Sequence, residues 1–127
     1  MNLTPYWKSV LEQEESAIVL CNLQHEIIYM NPEAIKRYHK RGGAALIGKN
    51  LLDCHNACSN TRIRQVTAWF AESPTHNRLF TFHNEKENKD VYMIALRDEH
   101  GTLIGYYEKH EYRNRETKQP YSFSESV

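Results

Sequence analysis

The chain has no surplus of either charge, since 16 Lys and Arg face 16 Asp and Glu. A general nucleic-acid binder displaces counterions with a basic surplus, so the balance speaks against nucleic acid as a partner. It disfavours a polybasic membrane anchor for the same reason. No apolar run approaches the roughly 20 residues that a transmembrane helix needs. The opening MNLTPYWKSVLEQEES lacks the basic-then-apolar order of a secretory signal. Cysteine is scarce and odd in number, and Cys21, Cys54 and Cys58 make no disulfide framework. A cytoplasmic protein with free thiols is expected. Gly-x-Ser-x-Gly, His-Glu-x-x-His and P-loop patterns are missing, and no carboxylate pair stands out. No catalytic residue is assigned and no enzyme is expected.

What is present is a globular composition in a chain of 127 residues, the length of one domain. Eight Tyr, four Phe and two Trp supply apolar bulk for a core without a disulfide or metal staple. Residues 1–15 read as a separate helix, with Thr4 as N-cap and Pro5 at its first position. Trp7, Val10 and Leu11 form its narrow apolar stripe. So short a helix is marginal alone in water, so it packs on its own domain or on a second copy. Those three residues are the dimer-interface candidates, and a homodimer is expected.

From residue 16 to 112 the pattern is strand, strand, helices, then three strands. Residues 17–21 and 27–30 are short β-branched apolar runs, and Asn22 or His25 between them is suited to positive φ. Asn31-Pro32-Glu33 is a helix start, followed by Ile35 and Tyr38 inward and Lys36, Arg37 and Lys40 in solvent. A short helical turn around residues 45–47 stops at Gly48. Ser59 or Asn60 caps a longer helix to residue 73, with Ile63, Val66 and Phe70 as its buried stripe. Residues 78–84 alternate, with Phe80 and Phe82 on one face. A charged loop at 85–89 leads to strand 91–96. A turn at 98–101 with Gly101 leads to strand 102–112, interrupted by Gly105. Residues 113–127 are a polar tail. The order predicts an α+β fold: a five-stranded antiparallel sheet, helices over one face, and an N-terminal helix.

Three stretches in this order resemble the PAS sensor module. They are Ala17-Ile18-Val19 through Ile27-Ile28-Tyr29-Met30-Asn31-Pro32, then Leu46-Ile47-Gly48-Lys49-Asn50-Leu51, then Arg97-Asp98-Glu99-His100-Gly101-Thr102-Leu103-Ile104-Gly105. A narrower stretch, Asp53-Cys54-His55-Asn56 followed by Ser59, is similar to a bacterial Cys-His-containing PAS subgroup often found beside hemerythrin-like domains. The chain departs from common PAS patterns at Asn22-Leu23-Gln24-His25, where Asp-x-x-Gly is usual. It departs again at Glu108-Lys109-His110-Glu111-Tyr112, where Asp-Ile-Thr often leads to an output helix. The resemblance implies a non-enzymatic sensory module that binds a small ligand or relays a signal through association, with a separate effector protein as partner. A pocket between the helix and the last three strands follows from it, walled by Cys54, His55, Val66, Phe70, Tyr92, Ile94, Leu96 and Tyr106.

The chemistry-bearing segment has other readings. Cys54, His55 and Cys58 are weak candidates for a metal, since zinc takes thiolate and imidazole but wants four ligands and only Cys21 remains. Haem ligation from the longer helix finds no His there, and the flavin photosensor's reactive Cys lies in Asn-Cys-Arg rather than Asp-Cys-His. The cofactor is therefore left open. A thiol redox sensor at Cys54, His55 and Cys58 and a ligand-free protein-interaction domain are the alternatives.

Overall fold

The computed structural model describes residues 1–54 and 57–123, and the side chains of all of these except 54, 57 and 58. Helix α1 (Thr4–Gln13) starts one residue earlier than the sequence predicts. Leu3 occupies the cap position, and Asn2 Oδ1 accepts from the Thr4 N–H at 3.0 Å. Thr4 is thus the first helical residue, and Asn2 supplies the oxygen that was expected of it. No residue of α1 is buried.

Strands β1 (Val19–Asn22) and β2 (Ile27–Met30) form an antiparallel hairpin, and His25 takes the positive φ of 65° in its turn. Asn31 then ends β2 and caps α2 (Pro32–Arg37). Its Oδ1 accepts from the N–H groups of Ala34 and Ile18, both at 2.9 Å. Its Nδ2 donates to the carbonyls of Leu11 (3.2 Å), Glu14 (3.4 Å) and Ser16 (3.0 Å). One fully buried amide therefore ties the end of α1, the start of β1 and the start of α2 together. Such bonds are strong in effect because each group would otherwise be buried without a partner. Arg37 is exposed, as expected, and makes a bidentate pair with Glu87 at 3.0 and 2.9 Å.

Three short 3-10 turns follow, His39–Arg41, Gly43–Leu46 and Leu51–Cys54. Gly48, with φ 92°, separates the second from the third. Helix α3 (Ala57–Glu72) begins before both residues expected to cap it. Asn60 lies inside the first turn, and its Nδ2 donates to the Leu52 carbonyl at 2.8 Å, anchoring the helix to the preceding turn. Ile63, Val66 and Phe70 form the buried stripe. At the far end, Arg97 Nη2 donates to the carbonyls of Phe70 (2.8 Å) and Ser73 (3.0 Å). These bonds pin the C-terminus of α3 to the sheet.

Strands β3 (Arg78–Asn84), β4 (Lys89–Arg97) and β5 (Leu103–Tyr112) complete a five-stranded antiparallel sheet of order β2-β1-β5-β4-β3. The fold is α+β, with the core between α3 and one face of this sheet. Val91 and Met93 face that core, so Tyr92, Ile94 and Leu96 lie on the opposite face. A bulge between Phe80 and Phe82 corrects a second expectation. Phe80 pairs with Tyr92 and Phe82 with Val91, so the two Phe rings are on opposite faces rather than one. Lys89, expected in the charged loop, is the first residue of β4 and is buried. Gly105 sits where β5 crosses β1 so closely that a Cβ would stand 2.1 Å from the Cys21 carbonyl oxygen. Beyond β5, Arg113 Nε donates to Asp90 at 2.8 Å and Nη2 to the Tyr92 hydroxyl at 3.0 Å.

Candidate functional site

A cavity of about 150 Å³ opens between the inner face of the sheet and the helical layer. Its apolar wall comes from Val19, Ile27 and Met30 on the hairpin, Leu46 on the second turn, Ile63 on α3 and Met93 on β4. The period of two along β5 places Tyr106, Glu108 and His110 on the same side of the strand, and all three line the cavity. Cys21 on β1, directly opposite Tyr106 in register, completes this polar strip. Tyr38 and Arg41, at the end of α2 and in the first turn, border the cavity from the helical side.

The polar groups around Tyr106 are uncharged. Tyr106 and His25 Nδ1 share a hydrogen bond of 2.8 Å, with their rings edge to face. Burial pushes the Cys21 thiol up to about 11, against a smaller pull from its bond to Tyr106. The Tyr106 phenol is raised well above its ordinary range by burial and then by Cys21. His25 is lowered by burial and by Arg64. A thiol so rarely ionised is a poor nucleophile and a poor metal ligand.

His110 is the other enclosed polar group. Its side chain is 8 % exposed, its Nε2 lies 3.5 Å from Glu108 Oε1, and its buried Nδ1 has no hydrogen-bond partner. Burial, then Lys89 and Arg37, push its imidazole down to about 4, against the pull of Glu87. Lys89 Nζ is 3.2 Å from Glu87 Oε2 and stands over the Tyr112 ring at 5.3 Å. The bidentate bond from Arg37 is the main reason that the Glu87 carboxyl is held down to about 2. His110 therefore lies beside a pair of cations anchored on one carboxylate, and it stays neutral.

Of the residues that the sequence suggests for a pocket, Tyr106 lines this cavity. Val66 and Phe70 are buried in the same core but belong to the packing between α3 and the sheet rather than to the cavity wall. Tyr92, Ile94 and Leu96 do not reach it, because strand alternation puts them on the other face of β4. Cys54, His55 and Cys58 lie outside the described side chains. Leu51, in the turn that leads to them, lines the cavity. Among the described residues, no group of three His, Cys, Asp or Glu side chains is placed to hold a metal ion. No helix among them is long and apolar enough to cross a membrane. On α1, Trp7 and Val10 are exposed and Leu11 is half-buried.

Sequence reasoning missed Cys21, Met93, Glu108 and His110. The signal was there for the last two. Once Tyr106 is taken as inward, residues 108 and 110 follow it on the same face, but from the sequence only Tyr106 of this strand is expected in the wall.

The comparison with solved structures settles the architecture. A PAS domain from Colwellia psychrerythraea superposes with a TM-score of 0.63 at 14% identity, covering 88% of this chain and 98% of that one. This is the PAS fold. A sensory box sensor histidine kinase from Vibrio cholerae matches at TM-score 0.59 and 16% identity, over 85% of this chain and 89% of that chain. The Aer2 receptor of Vibrio cholerae, described as a dual PAS-heme oxygen sensor, matches at 0.52 and 19% identity, over 75% and 91%. No protein-family model and no curated protein matches the sequence. The likeness is therefore one of PAS architecture, carried by backbone geometry across divergent side chains.

Proposed function

We propose that this chain is a sensory signalling module that takes a small molecule into the cavity bounded by Met30, Met93, Tyr106 and His110. The observation that carries the reading is a cavity lined mainly by apolar side chains, with a few convergent polar groups, inside a PAS fold. Solved domains of the same fold carry sensory descriptions, a sensor histidine kinase and an oxygen sensor among them. The module itself is non-catalytic in this reading, and it acts in the cytoplasm through a separate effector protein. Cys54 and His55 come three and four positions after the cavity-lining Leu51 in the sequence.

Output passes through association. The exposed Trp7 and Val10, with Leu11, make α1 the contact for a second copy. Asn31 links α1 to the hairpin, whose Val19, Ile27 and Met30 line the cavity, so ligand and α1 share a rigid connection.

Native mass spectrometry and an absorbance spectrum of the purified protein test the first part. A retained small molecule, or one taken up from a panel, supports the reading. A Soret band replaces it with a haem sensor at Cys54, His55 and Cys58. A chain that retains and takes up nothing is a ligand-free interaction domain. For the second part, wild type is expected to sediment as a dimer at micromolar concentration, and Trp7→Glu with Leu11→Glu as a folded monomer.

A further inference from the structure

We propose that the cavity accepts a neutral, largely apolar molecule of about benzene size that carries one hydroxyl, with His110 as the residue that selects for the hydroxyl. The proposal rests on the reading of this cavity as the sensory site. Three observations support it.

Size comes first. A void of about 150 Å³ lined by aliphatic side chains is the size of an apolar protein cavity that stays dry and holds benzene. A porphyrin or an isoalloxazine is several times larger.

Charge comes second. The enclosed polar side chains, Cys21, Tyr106 and His110, carry no charge at neutral pH, and burying an unpaired charge among them is costly. The two formally charged residues of the wall, Arg41 and Glu108, have opposite signs, are both exposed, and both have interactions of their own. Lys89 and Arg37, the cations beside His110, are held on Glu87 and do not line the cavity, so its wall offers a ligand no unengaged counter-charge.

Hydrogen-bonding capacity comes third. The Tyr106 hydroxyl is engaged with His25 and with Cys21. The His110 imidazole has Nδ1 buried without a partner and Nε2 only at 3.5 Å from Glu108. Buried polar groups are nearly always paired, and the exceptions gather at sites. In either tautomer a neutral imidazole offers one donor and one acceptor. A hydroxyl also has both, so it pairs with the ring whichever tautomer is present. The class is a small monohydric phenol or alcohol.

The full chain carries its own reporters. Of its three methionines, Met30 and Met93 line the cavity, and Met1 is exposed at the N-terminus as a control. With ¹³C-methyl methionine, phenol, toluene, benzoate and benzylammonium are titrated in turn and the methyl shifts followed. Phenol and toluene are expected to shift Met30 and Met93 and to leave Met1 in place, while the two charged probes shift neither. His110→Leu should weaken phenol on the order of fivefold, the net value of one neutral hydrogen bond, and leave toluene within about twofold. His110→Gln keeps a donor and an acceptor and should retain phenol; it carries the comparison if the Leu variant does not fold. Benzoate or benzylammonium shifting both methyls as strongly as phenol would overturn the ligand class and leave the sensory site standing. Phenol binding unchanged in a folded His110→Leu chain would remove His110 from recognition. Methyls that respond to no probe would overturn both this proposal and the reading beneath it.

Discussion

Asn31 shares its amide nitrogen among three carbonyls and its amide oxygen between two N–H groups, all within 3.4 Å. The His110 side chain is 8 % exposed, yet one ring nitrogen meets nothing and the other only a distant carboxylate. Both sit within one residue of the cavity wall, since Met30 precedes Asn31 and His110 lines the wall itself. The contrast separates two uses of a buried polar group. Where every donor and acceptor is spent on the backbone, the side chain holds the fold. Where capacity is left over beside a void, it is available to a ligand.

Removing Asn31 should have the largest effect. Asn31→Ala strips five hydrogen bonds from backbone groups at the end of α1, just before β1 and in α2, several of them away from water. A loss of about 3 kcal/mol or more is expected in urea denaturation. A loss under about 1 kcal/mol would mean that this amide is not the tie described.

Gly105→Ala comes next. Its Cβ would clash with the backbone oxygen of Cys21, which cannot move without parting β5 from β1. A destabilisation of roughly 2–3 kcal/mol is expected, with the Cys21–Tyr106 corner opened. Stability equal to wild type would show that the two strands stand farther apart.

The pH dependence of stability sharpens the other half of the contrast. An unfolded chain protonates His110 near its ordinary 6.5, whereas the folded chain does so only near 4. Between those values the unfolded state binds more protons, so stability falls as pH drops through that window and is full above it. The contribution from His110 amounts to roughly 3 kcal/mol at most. His25, also lowered by burial, contributes a loss of the same sign as pH falls below its ordinary value. Subtracting the profile of His110→Leu from that of wild type isolates the share of His110, and identical profiles would refute it.

The smallest effect is expected from His110→Leu at pH 7. It exchanges a buried, half-used polar group for an apolar one, and its stability should lie within about 1 kcal/mol of wild type. A large loss would show that His110 holds the fold after all, as Asn31 does.

The parts of this chain that were legible in sequence are those fixed by local chemistry. Asn31-Pro32 announces a capped helix, Gly101 at φ 81° a turn, and Ile63, Val66 and Phe70 one face of a helix. The five-stranded antiparallel sheet followed from the sequence of elements. The face of β4 did not, because both of its alternating sets are apolar. Val91, Met93 and Ala95 differ little in hydropathy from Tyr92, Ile94 and Leu96, so periodicity alone does not choose between them. The bulge at Phe80–Phe82 inverts alternation without any glycine or proline to mark it. Lys89 and His110 were hidden for another reason. A charged or titratable residue in a strand is ordinarily read as solvent-facing, and here Lys89 is buried beside Glu87 and the His110 side chain is 8 % exposed.

The most direct test is the titration of the His110 ring, followed by NMR of imidazole carbon and nitrogen shifts from pH 7.5 to 3.5. The structure predicts a neutral ring over most of that range, with a midpoint near 4. A midpoint near 6.5 would mean a solvated imidazole, and with it the loss of the enclosed, unspent polar group on which the account of the site depends.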